Sequence, residues 1–255
     1  MSMIKKIIFL GTLTLVSTQL WGISNKEVAT RADKVMDGYT DSQSQMLMTL
    51  INAQGDKRER LMKMKSLELK GGDKSIMEFI SPADVKGTKF LNYEHYTKDD
   101  DQWLYLPALR RVKRIASKNK SGAFMASEFA YEDLSNFSME KYRYEGDATE
   151  MMLDGLKVYK IVSIPISKNS GYTKLISYID TKDFLVRKVE YFDLKQDLFK
   201  RALFTDYKKI SGVWRIGKID MKNFENDKQS ILVWSKEKIK VGLTAKHFHK
   251  RVLKR

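Results

Sequence analysis

The side chains best suited to chemistry are few in this 255-residue chain. His247 and His249, one residue apart, could offer two metal ligands from one strand. No third histidine or carboxylate stands close to them in sequence, and zinc sites need three or four protein ligands. Asp99, Asp100 and Asp101 could hold a cation through oxygen ligands, but their place between two strand-like runs fits a polar hairpin turn better. Cysteine is absent. That removes thiol nucleophiles, cysteine-ligated metals, disulfides and the acylated cysteine of a lipoprotein anchor. No nucleophile elbow, P-loop, HExxH or dinucleotide-type glycine pattern occurs. The chain is therefore expected to be no enzyme and to hold neither metal nor cofactor.

The chemistry that remains is that of binding. Met46, Met48, Met62 and Met64 fall at alternate positions, so each pair shares one face of a strand. Methionine is unbranched and polarizable and adapts to ligands of irregular shape. A methionine-lined concave sheet suits acyl chains; ordinary core is the other reading. The segment from Gln102 to Ile115 passes from an aromatic strand, with Trp103 and Tyr105, into a basic run of Arg110, Arg111, Lys113 and Arg114. Apolar surface beside cations is what an anionic amphiphile needs. The alternative is a buried strand followed by a solvated edge strand whose cations block aggregation. Phe124 and Met125 lie in a Gly-containing segment, 121–134, that reads either as a movable lid or as a plug in one end of a barrel.

These residues need elements to hold them. Ser24 and Glu27 have capping-box spacing, with Ile23 and Val28 placed as a hydrophobic staple. Val28, Ala29, Ala32, Val35 and Met36 follow at helical spacing, and Gly38 closes the pattern. Beyond it the period changes to two. Alternating runs recur along the chain, among them 46–50, 76–80, 88–95, 102–106, 158–166, 172–178, 184–192, 198–207, 213–221 and 230–238. Strands at this spacing predict an antiparallel sheet or barrel rather than βαβ units. Leu67 and Leu69 sit on the opposite phase from Met62 and Met64, which calls for a β-bulge or a change of packed face near Ser66. Residues 117–136 lack alternation and predict a loop with one or two short helices. The basic tail 244–253 reads as a final helix or strand. No linker divides the chain, so residues 23–255 form one domain.

Residues 1–22 resemble a secretory signal peptide: Lys5 and Lys6, an apolar run from Ile7 to Val16, then a more polar tail. The run is shorter than the roughly 20 residues of a membrane span. The formal charge is +15, a balance that suggests anionic partners. Losing the two lysines would leave +13. Export turns the expectation away from nucleic acid and towards lipid headgroups, an anionic membrane surface or an acidic protein.

Trp103–Pro107, Arg110–Ile115 and Phe124–Leu134 together resemble the outer-membrane lipoprotein-sorting protein family, a LolA-like branch of the LolA/LolB superfamily. Tyr178-Ile179-Asp180, Leu185–Glu190 and Gly212-Val213-Trp214 followed by Met221 extend the likeness over nearly the whole mature chain. Arg215 and Ile216 depart from the family, in which a proline often stands two residues after the tryptophan.

The resemblance implies a mainly β fold: a half-open antiparallel β-barrel of about eleven strands around a hydrophobic cavity, with short helices as a lid. It implies a non-enzymatic carrier, periplasmic in a Gram-negative bacterium and expected to be a monomer, that binds lipid or lipoprotein acyl chains. An RND-type membrane exporter is an implied partner. Met46, Met48, Met62, Met64, Trp103, Tyr105, Phe124 and Met125 are then the cavity candidates. Arg110, Arg111, Lys113 and Arg114 would meet headgroups or a partner. The alternative is an adaptor that docks on an exporter through its basic face without carrying cargo.

Overall fold

A computed structural model describes residues 22–135 and 138–254. The expected signal peptide therefore lies outside the described residues, apart from Gly22. Among those residues no helix is long and apolar enough to cross a membrane.

Helix α1 (Asn25–Lys34) starts where the capping pattern places it: the Ser24 hydroxyl accepts the Glu27 backbone N–H at 3.1 Å. The first half of the chain then supplies β1 (Asp41–Ile51), β2 (Lys57–Leu67), β3 (Lys74–Ser81), β4 (Lys89–Tyr93), β5 (Asp101–Leu106) and β6 (Arg111–Ile115). The second half supplies β7 (Tyr142–Arg143), β8 (Thr149–Leu153), β9 (Leu156–Pro165), β10 (Lys174–Asp180), β11 (Val186–Phe192), β12 (Leu198–Thr205), β13 (Lys208–Ile210), β14 (Val213–Arg215), β15 (Lys218–Asn223) and β16 (Gln229–Ile239). Fourteen of these form one antiparallel sheet in the order β6-β5-β4-β3-β2-β1-β16-β15-β12-β11-β10-β9-β7, with β8 also paired to β9. β13 and β14 make a separate hairpin.

The sheet does not close, since β6 and β7 end it without pairing to each other. It curls instead. Phe79, Phe90 and Leu104 from one flank share a single core with Leu175, Val189 and Tyr191 from the other.

The described residues hold sixteen strands, not about eleven. The alternating run 213–221 breaks in two at Gly217, whose backbone lies so close to Asp206 that a Cβ would come within 2.2 Å of its carbonyl oxygen. β7 and β13 are too short to show a period.

A second apolar layer covers the outer face. Leu67, Ile76, Leu91 and Trp103 pack there against Phe248 and Leu253, which are fully buried. Those two residues belong to 3₁₀ turns, Ala245–Phe248 and Lys250–Lys254, where the sequence suggests a helix or strand. The tail is launched by the buried Asp41, whose carboxylate accepts the backbone N–H groups of Val241, Gly242 and Leu243. Tyr93 then donates its hydroxyl to the Phe248 carbonyl at 2.5 Å. This layer explains the phase switch near Ser66. The β1–β2 register runs unbroken from Asp41 opposite Leu67 to Ile51 opposite Lys57, so no bulge separates those strands. Met62 faces the inner core and Leu67 the outer layer.

On the concave side, α1 lays Val28, Ala29 and Ala32 on Ile161 of β9 and Ile179 of β10, with Ile23 alongside. Segment 117–134 turns through three 3₁₀ pieces, Ser117–Asn119, Phe124–Ala126 and Tyr131–Leu134.

Candidate functional site

Between the curled sheet, α1 and the 3₁₀ pieces lies a cavity of about 490 Å³, within the usual range of small-molecule sites, roughly 300–1,000 Å³. Its apolar wall comes from Met46 of β1, Met64 of β2, Met77 of β3, Leu175 of β10, Met221 of β15, and Leu232 and Trp234 of β16. Small residues on the same inward phase keep the space open. Ser42 and Ser44 precede Met46 along β1, Ser66 follows Met64 along β2, and Ser177 follows Leu175 along β10; all four line the cavity. A serine between larger inward residues leaves a void that a leucine would fill.

The eight residues expected at the cavity separate into four settings. Met46 and Met64 line it. Met48 and Met62 are fully buried core beneath it. Trp103 and Tyr105 belong to the outer layer, because strand alternation turns Leu104 and Leu106 inward; Lys250 Nζ lies 4.1 Å from the Trp103 ring centroid. Phe124 is fully buried, its ring 5.2 Å from Phe90, 5.5 Å from Tyr131 and 6.0 Å from Phe79. Met125 packs half-buried beside it and accepts a hydrogen bond from Arg60 through its carbonyl. Trp234 lines the cavity, whereas Trp214 pairs edge-on with Tyr207.

Segment 124–134 is pinned by a buried polar network. Lys200, 1% exposed, donates to Asp133 Oδ2 at 2.6 Å and to the Glu128 carbonyl at 3.0 Å. Tyr172 donates to Asp133 at 2.9 Å. Glu132 accepts from Ser170 and from the Gly171 N–H. The Glu128 N–H reaches Ser230, and Asn223 donates to Glu128 Oε2. Glu128, Glu132 and Asp133 therefore fasten the segment across the concave face, while Ser127 bonds only within it, to Phe124 and Phe129.

Arg110, Arg111, Lys113 and Arg114 are all exposed, three of them on the edge strand β6, and none lines the cavity. Arg114 pairs with Asp101 at 2.5 Å. His247 and His249 are exposed in the tail, and no metal-binding group occurs among the described residues. Asp99 is no free turn residue. Burial works against its charge, yet hydrogen bonds from Ser167, Lys120 and Asn169 hold it down at about 2.

Acidic groups also line the cavity. Asp33 is pushed up to about 7, first by burial and then by Asp37, Glu140, Glu94 and Asp73. Glu94 also rises to about 7 by burial, with Lys141 at 2.8 Å pulling the other way. Such carboxyls hold a proton more tightly folded than unfolded. Their stabilising contribution is present below the ordinary values, 3.8 and 4.5, and is lost as pH rises through about 7. The melting temperature is therefore expected to fall as pH rises from about 5 to about 8, and Asp33→Asn to flatten that slope. A flat or rising profile for the unaltered protein would contradict this assignment.

An open, curled antiparallel sheet with few short helices is the LolA-like fold. A family of uncharacterized proteins matches residues 71–255. An outer membrane lipoprotein-sorting protein domain from Vibrio parahaemolyticus is 45% identical, with 90% of this chain and 98% of that one covered and a TM-score of 0.87. The chain belongs to this LolA-like outer-membrane lipoprotein-sorting protein family. A DUF1329 family protein from Desulfovibrio piger is 28% identical, with 90% and 97% covered and a TM-score of 0.84. A LolA superfamily protein from Nitrosomonas europaea shares the fold at 19% identity, with 90% and 99% covered and a TM-score of 0.73. No curated protein matches the chain.

Proposed function

We propose that this protein is a non-enzymatic periplasmic carrier that takes lipid or lipoprotein acyl chains into its cavity and hands them on across the cell envelope. The observation that carries the reading is the 490 Å³ cavity with its Met46, Met64, Met77, Met221 and Leu232 wall. Burying acyl methylenes there would contribute about 0.8 kcal/mol each before ordering costs. Helix α1 and the 3₁₀ piece Met139–Lys141 form the lid in this reading, with the pinned segment Phe124–Leu134 as a fixed plug. Full-length protein purified from its native envelope should yield lipid on extraction and mass spectrometry. If it yields none and no fluorescent fatty-acid probe binds, the carrier reading falls.

The exposed basic edge of β6 favours a second role on a separate surface. Its free backbone edge and its cations Arg111, Lys113 and Arg114, next to Arg110, suit an acidic partner such as an RND-type exporter or an anionic membrane. Reversing the charge at Arg110, Arg111 and Arg114 should abolish exporter docking while leaving lipid binding intact. If docking survives the reversal, the edge is only a solvated strand guarded against aggregation.

A further inference from the structure

The cavity's charge is opposite in sign to the chain's. The chain carries +15, yet eight carboxylates line the cavity against three cations, Lys34, Lys141 and Arg215. Two of those cations are already engaged. Arg215 pairs with Glu237 at 2.7 Å, and Lys141 with Glu94 at 2.8 Å and Asp100 at 3.1 Å. The deeper acids are satisfied as well: Asp133 by Lys200, Glu132 by Ser170 and the Gly171 N–H, and Asp73 by the Tyr39 hydroxyl and the Leu69 N–H.

Asp33, Asp37 and Glu140 remain. Among the described residues, no hydrogen bond or ion pair reaches the carboxylate of Asp33 or Asp37. Glu140 accepts only from Ser138. Asp33 and Asp37 stand at the end of α1 and Glu140 on the 3₁₀ piece Met139–Lys141 packed beside it. Mutual repulsion couples all three: Asp37 and Glu140 both push Asp33 up, and Glu140 pushes Asp37 up. Carboxylates crowded in a partly desolvated place repel one another, and a cation beside them relieves the repulsion. The apolar wall and these acids line one and the same cavity. The three acids outnumber the exposed Lys34, whose charge acts on Asp37 in the opposite sense to Glu140, so an anionic headgroup would be repelled there; Arg111, Lys113 and Arg114 lie on β6, away from the cavity.

We propose that the cargo is an amphiphile with a cationic end, its apolar chain against the methionine and leucine wall and its amine or ammonium group among Asp33, Asp37 and Glu140. This rests on the carrier reading and narrows it to one chemical class.

Three dodecyl probes test it on the full chain below their micelle concentrations: dodecyltrimethylammonium, dodecanol and laurate, each displacing a neutral fluorescent probe near neutral pH. The cation should bind on the order of tenfold tighter than the alcohol, and laurate most weakly. Added salt should shrink the cation's advantage. In an Asp33→Asn, Asp37→Asn, Glu140→Gln variant shown to be folded by circular dichroism, the ratio of cation to alcohol affinity should fall to about one. Equal binding of cation and alcohol, or tightest binding of laurate, would overturn the cationic class and leave the carrier standing. Displacement by none of the three would bring down both.

Discussion

Replacing Asp133 by alanine is expected to destabilise the protein by about 3–5 kcal/mol, because it strands a buried ammonium. Lys200 is 1% exposed and has two oxygen partners, Asp133 Oδ2 and the Glu128 carbonyl. The rings of Tyr172, Tyr191 and Phe199 surround it at 5.0–5.6 Å. Their faces attract a cation but cannot replace a carboxylate. The variant also frees the Tyr172 hydroxyl and the Ala130 N–H, both of which Asp133 accepts. Combining Asp133→Leu with Lys200→Met should recover much of the loss, since a buried pair replaced by apolar side chains is often close to neutral. Urea unfolding of the single and double variants is the measurement. A single-variant loss below about 1 kcal/mol, the value of an exposed pair, would show that water reaches Lys200 and that the network does not pin the segment.

The second large effect concerns cargo. Ser44→Trp should lower acyl-probe affinity about 100-fold while leaving a cooperative unfolding transition. Ser44 stands on the inward phase of β1, opposite Met64 of β2, and both line the cavity. An indole there projects into existing space rather than into packed core, so overpacking costs stay small. It would displace three or four chain methylenes, each contributing about 0.8 kcal/mol, and 1.4 kcal/mol corresponds to a factor of ten. Titration with a fluorescent fatty acid or a cationic dodecyl probe reads the loss. Trp103→Ala is the contrast. It removes packing beneath the tail on the outer face and should reduce stability with little change in probe affinity. If Trp103→Ala weakens binding more than Ser44→Trp does, the cavity is not where cargo sits.

Much of the architecture is local in origin and therefore legible. The Ser24 cap, the Val28–Ala29–Ala32 face and the alternation of most strands depend on neighbours within a few residues, and each appears where the pattern places it. Segment 121–134 reads from its sequence as either lid or plug; the polar partners that fasten it, Ser230, Asn223, Lys200 and Tyr172, come from β16, β15, β12 and the approach to β10. Serines alternating with methionines along β1 were a readable sign of the cavity, but only once it is known that this face curls inward.

Residue order alone is enough to specify a mainly β chain with a capped first helix. Those properties follow from periods, caps and residue order, which short-range sterics and hydrogen bonding enforce. Which strand face encloses the cavity follows from long-range packing alone. Period two defines two faces and does not say which is inside. Trp103 faces outward because Phe248 and Leu253, far along the chain, cover that side. The sign of charge inside was equally hidden. A net charge sums the whole surface, whereas the field in a cavity comes from the few groups that folding gathers there. Asp33, Glu94 and Glu140 are distant in sequence and meet only when the sheet curls beneath α1.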